Sequence, residues 1–102
     1  MSTIIHDHDV ATLQRRYSAA MTARNRAIGR AELAANGLRS AMRTGGVAGR
    51  IAGRKAYRRA SRERDAAERD LAAVHDEIDA VAATALSALD AITGRAVDHA
   101  IA

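Results

Sequence analysis

Apolar residues recur at helical spacing over almost the whole chain. In the first half Val10, Leu13, Tyr17, Ala20, Met21, Ala27, Ile28, Ala31, Ala35, Leu38 and Met42 fall on one stripe. Arg15, Arg16, Arg26, Arg30 and Arg39 lie on the opposite face. This predicts a first helix over residues 10–43, about 50 Å long at about 1.5 Å per residue. Asp9 stands at the N-cap position, and Asp7 adds negative charge near that helix end. A second helix is predicted over residues 50–92. Its later half carries Leu71, Val74, Ile78, Val81, Ala85, Ala88 and Ile92 at alternating steps of three and four, a heptad seam flanked by Leu86 and Leu89. The preceding stretch, RRASRERDAAERD from Arg58 to Asp70, has no large apolar residue and reads as solvated helix. There Arg59/Glu63, Arg64/Glu68 and Asp65/Arg69 sit four apart, worth about 0.2–0.5 kcal/mol per pair.

Glycine punctuates this pattern. Gly45-Gly46, after a basic last turn, is the clearest break and predicts a turn over residues 44–49. Asn36-Gly37 is a second place where the first helix could end, since glycine costs about 1 kcal/mol against alanine inside a helix. Gly45, Gly49 and Gly53 are spaced by four, which would line one helix face and let two backbones approach. Thr93-Gly94 is expected to stop the second helix, leaving residues 93–102 as a short helical extension with Val97 and Ile101. A phosphate-binding loop needs GxxxxGK followed by Ser or Thr. Here Gly49 and Gly53 are one residue too close, Arg54 intervenes and Ala56 follows Lys55, so that motif is rejected.

Two long helices and one short turn make an all-α, coiled-coil-like antiparallel hairpin, a single domain over residues 1–102. The charges agree. If paired positions sum to roughly 94, Arg15 and Arg16 meet the region of Glu77 and Asp79, Arg24 lies near Asp70 and Arg26 near Glu68. Such pairs are individually weak, yet their sign pattern selects orientation and register. Helix 2 beyond about residue 84 then has no partner in helix 1. Leu86, Leu89, Ile92, Val97 and Ile101 need another surface, either the Ile4-Ile5 segment with a bent C-terminal piece or another copy of the chain.

Composition sharpens that need. Of 102 residues 26 are alanine and only Tyr17 and Tyr57 are aromatic. Alanine buries little area, so the core is thin and self-association or a protein partner is expected. Cysteine is absent, excluding disulfides and thiolate metal sites. The start, MSTIIHDHD, lacks the basic and apolar segments of a signal peptide. The uncharged run from Ala80 to Leu89 is about half of the ~20 residues that span a bilayer. A cytoplasmic protein without a membrane span is the expectation.

The chemistry is concentrated at the turn. Arg43, Arg50, Arg54, Lys55, Arg58, Arg59 and Arg62 cluster there with Tyr57, and no acidic residue occurs from Leu33 to Arg62. Residues 10–60 hold twelve basic and one acidic side chain, residues 61–102 four and nine. The hairpin is therefore a dipole with a basic tip. No catalytic constellation stands out: His75, in HDEID, has carboxylate neighbours but no nucleophile at a telling spacing, and His99 beside Asp98 is similar. His6-Asp7-His8-Asp9 has metal-binding donors but no third-ligand spacing, and reads as a helix cap. No enzyme activity and no cofactor are expected.

Three functions fit the tip. As an interaction and assembly protein, an adaptor or structural piece of the kind found in phage particles and secretion systems, it would dock an acidic partner. As a nucleic-acid binder it would contact phosphates without reading sequence, having no interleaved aromatics beyond Tyr57. As a membrane-surface segment it would have only Val47, Ile51 and Tyr57 to insert, a poor anchor. Small secreted hairpins with a Trp-x-Gly turn share the length and central break. This chain has no tryptophan and lacks their C-terminal Tyr-x-x-x-acid signal, so it is not assigned to them. The assembly reading leads, with sequence-independent nucleic-acid binding second.

Overall fold

A computed structural model describes the backbone of residues 7–101 and the side chains of residues 10–95. The Ile4-Ile5 segment, the side chains of His6 to Asp9, and those of Val97, Asp98, His99 and Ile101 lie outside what it describes. The described chain is an antiparallel helical hairpin. Helix α1 spans Asp7–Thr44, α2 spans Gly46–Ile101, and there is no strand among the described residues. At about 1.5 Å per residue the 56 residues of α2 reach about 84 Å. The molecule is 82 Å long and 25 × 18 Å across, so α2 sets its length.

Three expected boundaries shift. Asp9 lies inside the first turn of α1 rather than capping it, because the helix already includes Asp7. Helix α2 runs through Thr93-Gly94 without a stop, so there is no separate extension. One helical glycine costs only about 1 kcal/mol, and helix-compatible residues on both sides carry the ladder past it. The turn is not six residues long: Gly45 alone lies outside the helices, and Val47, Ala48 and Gly49 belong to α2. The Gly45 amide donates to the Ala41 carbonyl oxygen at 2.8 Å, closing α1. Gly46 then takes φ of +64°, the left-handed conformation that ends helices and turns the chain by itself. Asn36-Gly37 stays helical, so Gly45-Gly46 is the turn.

The glycines divide by what surrounds them. A Cβ on Gly53 would come within 3.3 Å of Leu38 Cδ1 and 3.5 Å of Ala41 Cβ, so here the helices do approach closely. Gly49 faces open space and does not share that role, while Gly45 is in the turn rather than on a helix face. A Cβ on Gly45 would lie 2.8 Å from the carbonyl oxygen of Ala41 and 2.9 Å from its Cα, backbone atoms that move only with the helix. Gly45→Ala is therefore expected to destabilise. Gly46→Ala should too, by roughly 1–2 kcal/mol for a left-handed non-glycine residue. At roughly 4–8 °C per kcal/mol, the Gly46→Ala midpoint should drop by about 4–16 °C. Gly37→Ala, with nothing within 4 Å, should rise by a few degrees, since helical glycine costs about 0.5–1 kcal/mol. Ser61→Ala should move the same way, because its hydroxyl oxygen is buried with no hydrogen-bond partner. Thermal melting followed by circular dichroism checks all four. Equal losses at Gly37 and Gly46 would contradict this turn.

The core is a seam of small residues. Ala27, Ala31, Ala60, Ala67 and Val74 are the buried apolar residues among those described. On α1 the inward positions step by three and four through Leu13, Tyr17, Ala20, Arg24, Ala27, Ala31, Ala34, Leu38 and Ala41. On α2 they run through Gly53, Tyr57, Ala60, Arg64, Ala67, Leu71, Val74, Ile78 and Val81. Both have the 3.5-residue repeat that keeps two supercoiled helices in contact. Alanines at the middle positions permit axes at the short end of the usual ~8–10 Å. The seam thus crosses the Arg58–Asp70 stretch without a large apolar residue. Arg24 and Arg64, half-buried on the seam, supply methylene stems with the charge carried outward.

Candidate contact site at the hairpin tip

Cross-helix ion pairs show the register. Arg16 donates to both oxygens of Glu77, and Arg30 Nε donates to Glu63 Oε2 at 3.3 Å. Both pairs sum to 93, one residue from the expected value. The Arg16 guanidinium, through its hydrogen bonds and then its charge, holds the Glu77 carboxyl below its ordinary 4.5, while Glu77 raises Arg16. Arg24 and Glu68 share an open depression with Leu71, Ala72 and His75, and among the described residues Arg24 forms no ion pair. Within α2, Arg59 meets Glu63 at 3.6 Å as expected, but Arg64 turns to Asp65 at 3.5 Å rather than to Glu68.

A depressed carboxyl contributes stability above its unfolded pKa, and that contribution is lost as pH falls through the folded value. Acid titration should therefore destabilise the wild type progressively below about pH 4.5. In Glu77→Gln that part of the slope should be missing. Urea midpoints measured from pH 6 to pH 2 check this. Parallel curves for the two proteins would mean the Arg16–Glu77 pair does not differ between folded and unfolded chain.

Toward the tip the pairing stops. Helical geometry sorts the side chains there into two flanks. In an antiparallel pair, positions one step before a seam residue gather on one flank from both helices, and positions one step after gather on the other. Arg30, Arg59 and Glu63 each precede a seam residue, and they meet: the single Glu63 carboxylate serves both arginines. Ala52, Ala56 and Ala60 line the shallow groove beside them. The other flank holds Arg39, Met42, Val47, Ile51, Arg54 and Arg58. Arg54 Nη2 reaches Met42 Sδ at 3.9 Å across the helices, consistent with that placement.

On this second flank the arginines lack acidic partners. Among the described residues Arg39, Arg43, Arg50, Arg54, Lys55, Arg58 and Arg62 form no ion pair. Arg39 donates to Asn36 Oδ1, and Arg50 Nε to the Gly46 carbonyl at 3.2 Å, local bonds that leave their charge uncompensated. Met42, Val47 and Ile51 are exposed among them, Val47 by 72%. Tyr57 is different: it occupies a seam position and is half-buried, so much of its ring packs between the helices. Lys55 lines the groove beside Arg30, Arg59 and Glu63, and Arg62 is exposed away from the seam. Arg39, Met42, Val47 and Ile51 join the site only in the folded chain and are not among the contact residues expected from sequence. A usable signal is present, since Val47 and Ile51 follow the turn glycine and have no helix beyond the tip to pack on.

The other candidates are plain. His75 Nδ1 pairs with Asp79 Oδ2 at 3.3 Å, and its ring lies 6.4 Å from that of Tyr17 on an exposed helix face. No group of three or more His, Cys, Asp or Glu among the described residues could hold a metal. No helix there is long and apolar enough to cross a membrane. At the far end Leu86, Leu89 and Ile92 are 60%, 57% and 59% exposed, as expected for a stretch of α2 that α1 does not cover. No protein-family profile, curated protein or solved structure matches the chain.

Proposed function

We propose that the chain is a non-enzymatic, cytoplasmic assembly protein whose basic tip docks an acidic surface of a protein partner. The observation that carries this is the mixed flank. Arginines surround Met42, Val47 and Ile51 with no carboxylate among them, whereas the stem sets carboxylates beside arginines, as in Arg16–Glu77 and Arg30–Glu63. Phosphate backbones call for cations alone. Exposed aliphatic side chains between the cations favour a partner that offers both carboxylates and apolar groups, as an acidic amphipathic helix does.

Sequence-independent nucleic-acid binding is the second reading, supported by the number of free cations. Fluorescence anisotropy separates the two. The probes are a labelled amphipathic peptide of leucine and glutamate at helical spacing, and a labelled random-sequence DNA duplex and RNA strand. Near physiological salt, about 0.15 M, the peptide should bind and the nucleic acids should not. Tight nucleic-acid binding that weakens steeply with salt, with no peptide binding, would replace this reading by the second.

A further inference from the structure

Resting on the reading of the tip as a protein-docking face, we propose that the partner it fits is a second copy of this chain. The projecting end of α2 would be the docked segment, so that copies add head to tail. At the observed register Asp7, the first residue of α1, stands opposite residue 86. Residues 86–101 of α2 run on for about 22 Å with no other described segment beside them. Along them Leu86, Leu89 and Ile92 recur every third residue on one exposed stripe. The stripe continues an apolar groove of about 440 Å³ at the base of the hairpin, where Val10 and Leu13 meet Ile78, Val81 and Ala85.

This end has the chemistry the tip lacks. The projecting residues 87–101 carry two carboxylates, Asp90 and Asp98, against one arginine, Arg95, while residues 33–62 carry eight cations and no carboxylate. The lengths also agree: Val47 to Arg58 covers about 18 Å of helix, against about 22 Å of projecting α2. Pairing two projecting ends with each other would bury the same leucines. It would also set two net-acidic segments side by side and leave both tips uncovered. Opposite charge favours the head-to-tail contact, and like charge opposes the symmetric one. Because the two surfaces differ, the contact does not close on a dimer, and copies form open chains.

Sedimentation velocity on the full chain and two variants tests this. The tip variant is Arg54→Glu with Arg58→Glu, and the tail variant is Leu89→Asp with Ile92→Asp. Wild type should grow with concentration past the dimer, and shrink in about 1 M salt, where the Debye length is about 3 Å. Each variant alone should associate at least tenfold more weakly, yet an equimolar mixture should form a heterodimer and nothing larger. That complementation arises because each variant keeps one intact surface. All four positions are exposed. Arg54→Gln and Leu89→Ser form a milder pair should circular dichroism show reduced helix. A wild type that stays monomeric, stops at a dimer, or assembles equally well in the tip variant overturns the proposal, as does a mixture that fails to dimerise. If the acidic peptide still binds the tip in that event, only the identity of the partner is wrong. If it does not, the docking reading falls with it.

Discussion

Ala27→Glu should abolish cooperative melting of the hairpin. Ala27 is 1% exposed, and the register sets it across the seam near Ala67, also buried. The nearest seam cations, Arg24 and Arg64, carry their charge outward, so pairing a carboxylate at position 27 would require drawing a guanidinium into the seam as well. Burying such a group costs several kcal/mol, so it either protonates or pushes the helices apart. Separation would weaken the neighbouring packing as well, since alanines meet only at short interaxial distance and cannot follow a receding partner. Chains of this size have roughly 5–15 kcal/mol in total, and an alanine core places this one toward the bottom of that range. Ala27→Leu adds volume without charge and should cost about 1–3 kcal/mol by overpacking. Ala73→Glu makes the same chemical change at an exposed position of α2 and should stay within about 0.5 kcal/mol of wild type. Because both glutamates replace a helical alanine, propensity cancels and the difference reports burial. Melting curves for Ala27→Glu and Ala73→Glu that superimpose would show that the seam does not run through Ala27.

Much of the architecture is legible in the residues, and the misses share one physical cause. The antiparallel orientation follows from opposite charge along the two halves, and the register comes within a residue because Arg16 and Glu77 anchor it. Individual partners are less legible. Arginine spans several ångströms of surface, so Arg64 takes Asp65 rather than Glu68 by side-chain freedom rather than by spacing. The seam across Arg58–Asp70 is missed because hydrophobic size is the usual signal for an inward face. Here the inward residues are Ala60, Arg64 and Ala67, selected for small volume and for a long aliphatic stem. Glycine misleads in the same way. Its freedom matters at Gly46, where φ is positive, and its missing side chain matters at Gly53. Neither property is used at Gly49, Gly37 or Gly94. Spacing alone does not separate those cases, since it records where a residue stands in the helix but not what stands opposite. At the tip the cations are legible one by one. Their division into a compensated and an open flank emerges only when Arg30 is brought from α1 to Glu63.

That division makes the second large prediction specific. Arg54→Gln with Arg58→Gln should weaken binding of the acidic leucine–glutamate peptide by about 10–100-fold, taking roughly 1 kcal/mol or somewhat more for each arginine–carboxylate interaction removed. Arg58→Gln alone should weaken it about fivefold, whereas Arg59→Gln, an equal charge change one residue away, should weaken it less than about threefold. Its guanidinium is already engaged by Glu63 on the opposite flank, at 3.6 Å. If net charge alone drew the peptide, all three arginines would contribute alike, and a single neutralisation at Arg59 would match one at Arg58. The comparison therefore tests geometry rather than charge. The measurement is best made in the Leu89→Asp background, so that self-association does not compete with the peptide. Stability supplies an internal control with the opposite sign. Arg54 and Arg58 belong to a stretch of eight cations without a carboxylate, so removing two of them relieves repulsion, and glutamine keeps nearly the same helix propensity. The double variant should thus melt no lower than wild type while binding more weakly. Weaker binding accompanied by a lower melting point would point to a disturbed hairpin. Equal losses at Arg58 and Arg59 would mean that the tip presents a diffuse positive charge rather than a face.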